Sequence, residues 1–295
     1  MAISRKTRIQ IAKPDIVKMF EGIDNRVFTP SQISTMLEER KGFWRLANST
    51  TINEFVSFLL EATKLQEAKI TFPSSRVIRY FWGDVSVYEL ALSFSPNAYL
   101  THYTAMYLHD LTEQIPKVIY VNLEQPSRPS YGKSSLEQSR INLAFKRSPR
   151  VSRAIAQYKD FKICLLHGMP TGQLGVIDTP GPDGRNIRVT DVERTLIDIA
   201  VRPFYSGGVF EVLKAYRLAK DKVSVNKLAS FLKKMDYVYP YHQAIGFYLE
   251  RSGAYKDSQI NLLRKFEIRF DFYLTYQMNE MSYSKDWRLY YPKDF

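Results

Sequence analysis

Residues that could hydrogen-bond to a nucleic acid are concentrated where an apolar helical pattern begins. Five short polar residues lie there: Asn48, Ser49, Thr50, Thr51 and Asn53. Their amide and hydroxyl groups can bond to base edges or phosphate oxygens, and the N-terminus of a helix attracts phosphate. The same residue types also cap helices without binding a ligand. The sequence therefore predicts a DNA-contacting helix tip, with a plain N-cap as the alternative.

A second group of candidates lies just downstream, in a segment patterned as a hairpin. Residues 69–72 resemble a strand, residues 73–75 carry a turn signal, and residues 76–82 return as a second strand. Cationic and hydroxyl side chains of this segment, with one arginine upstream of the helix, could reach phosphates or the minor groove: Arg45, Lys69, Ser75, Arg76 and Arg79. They complete the set of candidate DNA contacts.

Three helices are expected to position these residues. The first is predicted to begin near Pro14, because proline suits the first turn of a helix. The second follows a cap signal at Thr29. The third places apolar residues at i, i+3, i+4, i+7 and i+8 from Ile52. Three helices followed by a basic-edged hairpin are typical of a winged helix-turn-helix, which we predict for residues 1–83.

The connection between the second and third helices is long for such a motif. It covers residues 41–48, and we expect Phe43 and Trp44 in the core and Arg45 at the surface. Glu54 and Glu61 fall on the outer side of the third helix and would repel phosphate, unless Glu54 accepts a bond from a cytosine amine. These two features leave the docking angle on DNA open.

Charge favours a polyanionic partner. The whole chain of 295 residues carries a formal net charge of +12 and has a pI of about 9.5, and residues 1–83 contain 13 basic and 8 acidic residues. Such a balance suits a nucleic-acid-binding protein. A merely basic protein remains the alternative.

A larger region with a different pattern is predicted over residues 84–295. A helix at 98–111 precedes strands at 117–121, 161–166, 175–178 and 187–189. Another helix starts at residues 190–193, and the segments beyond residue 209 are mainly helical. We expect an α+β protein whose mixed α/β C-terminal domain has a helical end, with a subdivision into 84–205 and 206–295 left open.

This second region contains a strongly basic stretch. Residues 128–162 hold nine basic and two acidic residues, with aromatic residues interleaved. Five of the cations define a second candidate surface: Arg140, Lys146, Arg147, Arg150 and Arg153. Basic and aromatic residues together can bind nucleic acid, and a solvated charged face is the equal alternative.

Catalytic signatures are missing from the sequence. There is no Walker-type loop, no GxGxxG and no CxxC. His102 and His109 favour a buried or interfacial pair over a metal site, and Arg194 and Asp198, four residues apart, favour a structural ion pair. We therefore predict no catalytic residue, no metal, no cofactor and no enzymatic activity.

Two other functional classes stay open. A metal-dependent nuclease, or another nucleic-acid-processing enzyme, would use Asp178, Glu193 or Asp198. A ligand-sensing transcription factor would need a deep apolar pocket in the second domain. Each is an alternative to the DNA-binding hypothesis.

The cellular setting is predicted from cysteine usage and hydropathy. A single cysteine, Cys164, fits a reducing cytoplasm. No apolar stretch approaches the ~18–20 residues of a membrane span. Residues 1–10 carry Arg5, Lys6 and Arg8 without a following apolar segment, so they predict a basic arm or a disordered end rather than a secretory signal.

Three later segments together resemble a known family. Residues 98–112, closing on Ile115 and Pro116, are similar to the first signature of AbiEi-type antitoxins. Residues 189–198 are similar to the second signature and residues 243–253 to the third. Their order and spacing also match, with the winged helix in front, and the resemblance covers most of the chain.

The resemblance implies the antitoxin half of a type IV toxin–antitoxin system in the bacterial cytoplasm, linked to abortive infection and defence against phage. Such antitoxins repress their own operon by binding inverted repeats in double-stranded DNA through the N-terminal domain. The C-terminal domain carries the antitoxin activity. The partner toxin is a nucleotidyltransferase-like protein, and direct contact with it is not required.

Overall fold

The computed structural model describes residues 7–126 and 136–295. Arg5 and Lys6 of the predicted arm lie outside these residues, as do Arg128, Tyr131 and Lys133 of the basic stretch. The described residues contain eleven α-helices and twelve strands in three sheets. The predicted α+β class is thereby confirmed.

The N-terminal region, residues 7–83, contains three helices and a three-stranded sheet. Its elements are α1 Arg8–Glu21, β1 Val27–Phe28, α2 Pro30–Arg40, α3 Ile52–Ala62, β2 Leu65–Phe72 and β3 Ser75–Trp82, and the sheet order is β1-β3-β2. The first helix begins earlier than predicted, because Thr7 and Gln10 form a reciprocal capping box. Pro14 consequently lies inside α1.

Apolar residues from all three helices form the core of this region. Ile16, Phe20, Ile33, Phe55 and Leu59 are fully buried, as the periodicity of each helix requires. The ring of Phe20 stacks on Trp82 of β3 at 4.7 Å. The sheet thus packs on the helices through its central strand, β3.

The hairpin is longer than the sequence indicated. β2 begins at Leu65, and eight residue pairs run in register from Leu65↔Trp82 to Phe72↔Ser75, so that Pro73 and Ser74 form a two-residue turn. The early start follows from burial on both faces, since Leu65 packs in the helical core and Ala68 in a second apolar cluster. The hairpin is defined below as residues 65–82.

The C-terminal region begins with a mixed six-stranded sheet. Its elements are α4 Val87–Leu92, β4 Tyr99–Leu100, α5 His102–Leu108, β5 Val118–Asn122, α6 Gln138–Lys146, β6 Ile155–Tyr158, β7 Phe161–Leu166, β8 Val176–Pro180, β9 Asn186–Thr190 and α7 Val192–Val201. The strand order is β6-β7-β5-β4-β9-β8. The helix predicted at 98–111 is interrupted, because Tyr99 and Leu100 pair with β5 while Leu100 also pairs with β9.

Helices dominate the end of the chain. After a 3-10 turn at Pro203–Tyr205 come α8 Val209–Leu218, α9 Val225–Met235, α10 Tyr241–Arg251 and α11 Asp257–Arg264, then a small sheet of β10 Phe272–Tyr273, β11 Met281–Ser284 and β12 Leu289–Pro292. One apolar core joins Met106 and Leu196 to Tyr248 and Trp287. None of the helices among the described residues combines the length and apolarity needed to cross a bilayer.

Candidate nucleic-acid interface

The α3 tip, residues 48–53, is closed by a reciprocal cap. The backbone N–H of Thr51 donates to Glu54 Oε2 at 2.8 Å, and the backbone N–H of Glu54 donates to Thr51 Oγ1 at 3.2 Å. The bond from the Thr51 backbone, and next the one that the Thr51 hydroxyl donates to Glu54 Oε2 at 3.1 Å, lower the pKa of Glu54. Glu54 is therefore charged and held against its own helix. The structure gives Thr51 the capping role that the sequence offered as an alternative.

The other polar residues of the α3 tip face solvent. Asn48, Ser49 and Asn53 are exposed, and Thr50 is half-buried. One turn further along, Ser57 is exposed on the same side of α3 as Asn53. Sequence reasoning did not single out Ser57, although its spacing of four from Asn53 was available. An open polar face thus runs along the outer side of α3 as far as Glu61.

The connection before α3 exposes one aromatic residue and buries the next. Trp44 is 4% exposed and stacks on Phe55 of α3 at 5.6 Å, whereas Phe43 is 69% exposed. The expectation that both rings lie in the core was therefore wrong for Phe43. Consecutive residues of this tight turn point in different directions, so only one ring can face inward.

Arg45 occupies a backbone conformation that favours glycine. Its φ is +52°, its side chain is exposed, and its N–H donates to the carbonyl oxygen of Gly42 at 3.0 Å. The N–H of Leu46 donates to the carbonyl oxygen of Lys41 at 3.0 Å, which completes a Schellman-type ending of α2. A side chain in this region costs about 1–2 kcal/mol. Arg45 is thus exposed as predicted, at an energetic cost.

The two faces of the hairpin have different surroundings. Paired residues in an antiparallel ladder share a face, so Thr71 and Arg76 lie on one face and Ala68 and Arg79 on the other. Arg76 and Ser75 are exposed near the turn. Lys69 is also exposed, but its Nζ lies 2.6 Å from Glu67 Oε2. Arg76 is therefore better placed than Lys69 to offer a cation to phosphate.

Arg79 lies in the joint between the two regions. Its Nη2 donates to the carbonyl oxygen of Ser93 at 3.0 Å and its Nε to the Ser93 hydroxyl at 3.1 Å. The guanidinium carbon also lies 5.6 Å from the ring centroid of Phe94, and burial lowers the pKa of Arg79. Arg79 was predicted to contact DNA, and these contacts make it less available to phosphate than Arg76. Arg76 and Arg79 are three apart in a strand, so alternation puts them on opposite faces.

Apolar residues near Arg79 pack the hairpin against the C-terminal region. Ala68, Ile70 and Phe72 on β2 belong to one buried cluster with Leu90 of α4 and Ala156 of β6. At its end, Phe72 meets Phe94 edge to face at 5.6 Å. The C-terminal region therefore covers the hairpin face opposite Arg76 and leaves the α3 tip exposed.

The second basic surface is exposed. Arg140 and Lys146 lie on α6, and Arg147, Arg150 and Arg153 lie in the segment that leads into β6. Arg140 is 4.0 Å from Glu137. Ala154, next to Arg153, packs against the hairpin cluster. The predicted aromatic interleaving is not a surface feature at Phe145, which is buried against Tyr273 and Tyr276.

Arg194 and Asp198 form the predicted structural ion pair in the C-terminal core. Arg194 Nε lies 2.8 Å from Asp198 Oδ1, with both side chains buried, and the Thr101 hydroxyl donates to Asp198 Oδ2 at 2.9 Å. Burial acts to lower the pKa of Arg194, but Asp198, Tyr99 and Tyr237 together outweigh it and the pKa is raised. Arg194 also donates to the carbonyl oxygen of Leu174 at 2.8 Å. The pair therefore ties α7 to the segment before β8.

The carboxylates of the nuclease hypothesis are engaged separately. Asp198 is held by Arg194, Glu193 accepts from the backbone N–H of Ser224 at 2.7 Å and pairs with Lys227 at 3.0 Å, and Asp178 is exposed on β8. In residues 7–126 and 136–295, no three histidine, cysteine or acidic side chains are grouped as metal ligands would be. This arrangement gives the nuclease hypothesis no geometric support.

The two histidines singled out earlier serve different contacts. His102 is buried, and burial lowers its pKa to about 4. Its Nδ1 lies 3.1 Å from the Thr101 hydroxyl. His109 follows α5, and its Nε2 lies 2.6 Å from the carbonyl oxygen of Thr190. Both are explained by hydrogen bonds within the fold.

A cleft of about 430 Å³ opens on the C-terminal region. Polar residues predominate in its lining, which consists of Ser95, Asn97, Leu123, Glu124, Gln125, Pro126, Gly172 and Gln173. Glu124 already accepts a hydrogen bond from the Tyr99 hydroxyl at 3.0 Å. The cleft therefore differs from the deep apolar pocket expected of a ligand sensor.

The fold has a solved counterpart. The chain is similar to the protein of a crystal structure titled RV2827C protein from Mycobacterium tuberculosis, with a TM-score of 0.60 and 13% sequence identity, over 95% of this chain and 91% of that one. At this identity the likeness concerns the fold alone. No family model matches the sequence, and no curated protein matches it.

Proposed function

We propose that the protein is a DNA-binding autorepressor, and that its N-terminal region is a winged helix-turn-helix. The observation that carries this proposal is that the α3 tip and the Arg76 face of the hairpin are both exposed. The order of three helices and a closing hairpin, with β1 added to β3, is that expected of the motif. In this proposal α3 enters the major groove and the hairpin contacts phosphates.

Electrostatics support the same assignment. The net charge of +12 favours a polyanion, and the dipole of α3 adds a local attraction for phosphate at its N-terminus. The acidic residue nearest the tip, Glu54, is held by its cap to Thr51. This bond fixes the position of the carboxylate, whose negative charge offsets part of that attraction.

The antitoxin role forms the second part of the proposal. It rests on the resemblance of residues 98–112, 189–198 and 243–253 to AbiEi-type signatures. The protein then neutralises a nucleotidyltransferase-like toxin through its C-terminal region, without needing to bind it directly. Repression and neutralisation use different surfaces and are separable by mutation.

DNA binding is tested by fluorescence anisotropy on the duplex immediately upstream of the protein's own reading frame, against a scrambled duplex of equal length. We expect Asn53→Ala to weaken specific binding by about 5- to 150-fold, because a base contact is lost. We expect Arg76→Ala to lower the salt slope by about one, because a phosphate contact is lost. Lys234→Ala, an exposed cation on α9, removes the same charge and is the control. Equal binding of both duplexes by the wild type would overturn the repressor assignment.

Neutralisation is tested by co-expression with the protein encoded by the adjacent reading frame. We expect the wild type to restore growth of cells that express that neighbour, and Arg76→Ala to restore it equally while losing repression of a promoter fusion. A neighbour without toxicity, or growth that the wild type fails to restore, would contradict the antitoxin part and leave the DNA-binding part standing.

A further inference from the structure

The connection between α2 and α3 exposes a phenylalanine and an arginine side by side. Phe43 is 69% exposed, Arg45 is exposed, and Trp44 between them is buried. Among the large apolar residues of the described chain, Phe43 has the highest exposed fraction. Phe43 and Arg45 thus form a pair in the sequence, one apolar and one cationic, separated by a buried residue.

The backbone of this connection is arranged to present that pair. Within residues 7–83, Arg45 alone among the non-glycine residues has a positive φ. It occupies the position of the Schellman ending that usually holds glycine. Gly42 lies three residues earlier and does not occupy it. The two hydrogen bonds of this ending hold the backbone of Arg45 in place and leave its side chain exposed.

The pair is also held rigidly next to the α3 tip. Trp44 stacks on Phe55 in the first turns of α3, and Leu46 is buried beneath the connection. Asn48 and Ser49 follow directly and are exposed. Phe43 and Arg45 therefore adjoin the polar residues that the proposed function assigns to DNA.

The chemistry of the pair suits the border between a base and its phosphate. Phenylalanine makes apolar contact with the C5-methyl group of thymine in the major groove, and arginine binds phosphate oxygens. We propose that Phe43 packs against a thymine methyl group at the edge of the site while Arg45 binds a neighbouring phosphate. This inference rests on the proposed DNA-binding function and adds a base preference to it.

The experiment uses the full-length chain and the upstream duplex, together with a duplex in which deoxyuridine replaces thymine and so removes the methyl groups. Phe43→Ala is expected to weaken binding to the thymine duplex by about 5-fold or more. The wild type is expected to bind the deoxyuridine duplex more weakly than the thymine duplex. Phe43→Ala is expected to bind the two duplexes equally. Such a pattern assigns the lost affinity to the methyl contact.

Arg45→Gly provides a test in which stability and binding move in different directions. Glycine relieves the backbone, so the melting temperature is expected to stay the same or rise. Binding is expected to weaken, and the salt slope to fall by about one, because a phosphate contact is lost. If Arg45 only shaped the turn, Arg45→Gly would change the melting temperature and leave DNA binding and its salt slope unchanged.

The outcomes separate this inference from the proposed function. If the wild type binds the upstream duplex specifically while both variants bind like the wild type, the inference is overturned and the repressor assignment stands. If the wild type shows no preference for that duplex, both fail. Circular dichroism melts of Phe43→Ala, an exposed substitution, verify that the fold is retained.

Discussion

The guanidinium of Arg79 on β3 donates hydrogen bonds to both the carbonyl oxygen and the hydroxyl group of Ser93, just beyond α4. Ser93 belongs to the C-terminal region, whereas Arg79 belongs to the hairpin. A residue that looks like a phosphate contact in the sequence therefore joins the two regions. Its neighbour on the strand, Arg76, is exposed on the opposite face.

Arg76→Ala and Arg79→Ala should consequently have different effects, although both remove one arginine from the same strand. We expect Arg79→Ala to lower the free energy of unfolding by about 1–2 kcal/mol, because the carbonyl oxygen and hydroxyl group of Ser93 lose their charged donor, and to leave the salt slope of DNA binding unchanged. Arg76→Ala should lower that slope by about one and preserve stability. Urea titration and salt-dependent anisotropy measure the two quantities. A reduced slope in Arg79→Ala would show that Arg79 contacts DNA after all.

The buried ion pair predicts a large loss on removal of one charge. Asp198→Asn leaves Arg194 unpaired in the core, and we expect the free energy of unfolding to fall by about 3–5 kcal/mol. Glu113→Gln is the matched control, since the Lys214–Glu113 pair has a similar N···O distance of 3.2 Å but is exposed, and its loss should cost under about 1 kcal/mol. Equal losses in the two variants, measured by urea unfolding, would be incompatible with a structural role for the buried pair.

His102 predicts a dependence of stability on pH. Its folded-state pKa of about 4 lies below the ordinary value of 6.5, because burial disfavours the charged ring. Asp198 opposes this shift, while Arg202 and Arg194 add to it. Between these two values the unfolded state binds a proton that the folded state excludes, so stability falls as the pH is lowered, by up to about 1.4 kcal/mol per unit.

The contribution of His102 is isolated by His102→Asn, because asparagine tolerates the positive φ of this position. We expect the variant to show a shallower fall in urea-unfolding free energy between pH 6.5 and 4. His167→Asn, at an exposed histidine, is the control. A variant as steep as the wild type would remove His102 from this explanation.

Gly246 predicts a steric limit in α10. A Cβ atom added at this position would lie 2.2 Å from the ring of buried Trp287. We expect Gly246→Ala to lower the free energy of unfolding by about 1–3 kcal/mol or more through overpacking, although alanine favours helix. Gly42→Ala, where a Cβ meets no atom within 4 Å, is the control. Thermal melts that rank the two variants in the reverse order would contradict this account.

Local patterns predicted much of this fold. The apolar spacing of α3 and the cap signals at Thr29 and Thr51 correspond to observed helices, because these features depend on neighbouring residues alone. The Arg194–Asp198 pair was also predictable, since positions i and i+4 meet on one helix face. These successes concern relationships within a single element.

Features that depend on distant partners were missed. Tyr99 and Leu100 read as helical but form β4, because β5 and β9 offer backbone partners that are remote in sequence. The exposure of Phe43 depends on how Trp44 meets Phe55. Strand alternation could have predicted that Arg76 and Arg79 lie on opposite faces of the hairpin. The contact of Arg79 with Ser93 could not be predicted, because it depends on how two distant segments pack.

The contact of Ile70 and Phe72 with Leu90 and Ala156 also limits how this protein can be divided. A fragment ending near residue 83 would keep its own helical core but turn a water-repelling strip of β2 outward, and it would tend to self-associate. A gene fusion that joins residues 1–83 to another protein would have to supply a complementary surface for that strip. The two regions thus depend on each other for solubility, even though their proposed tasks are distinct.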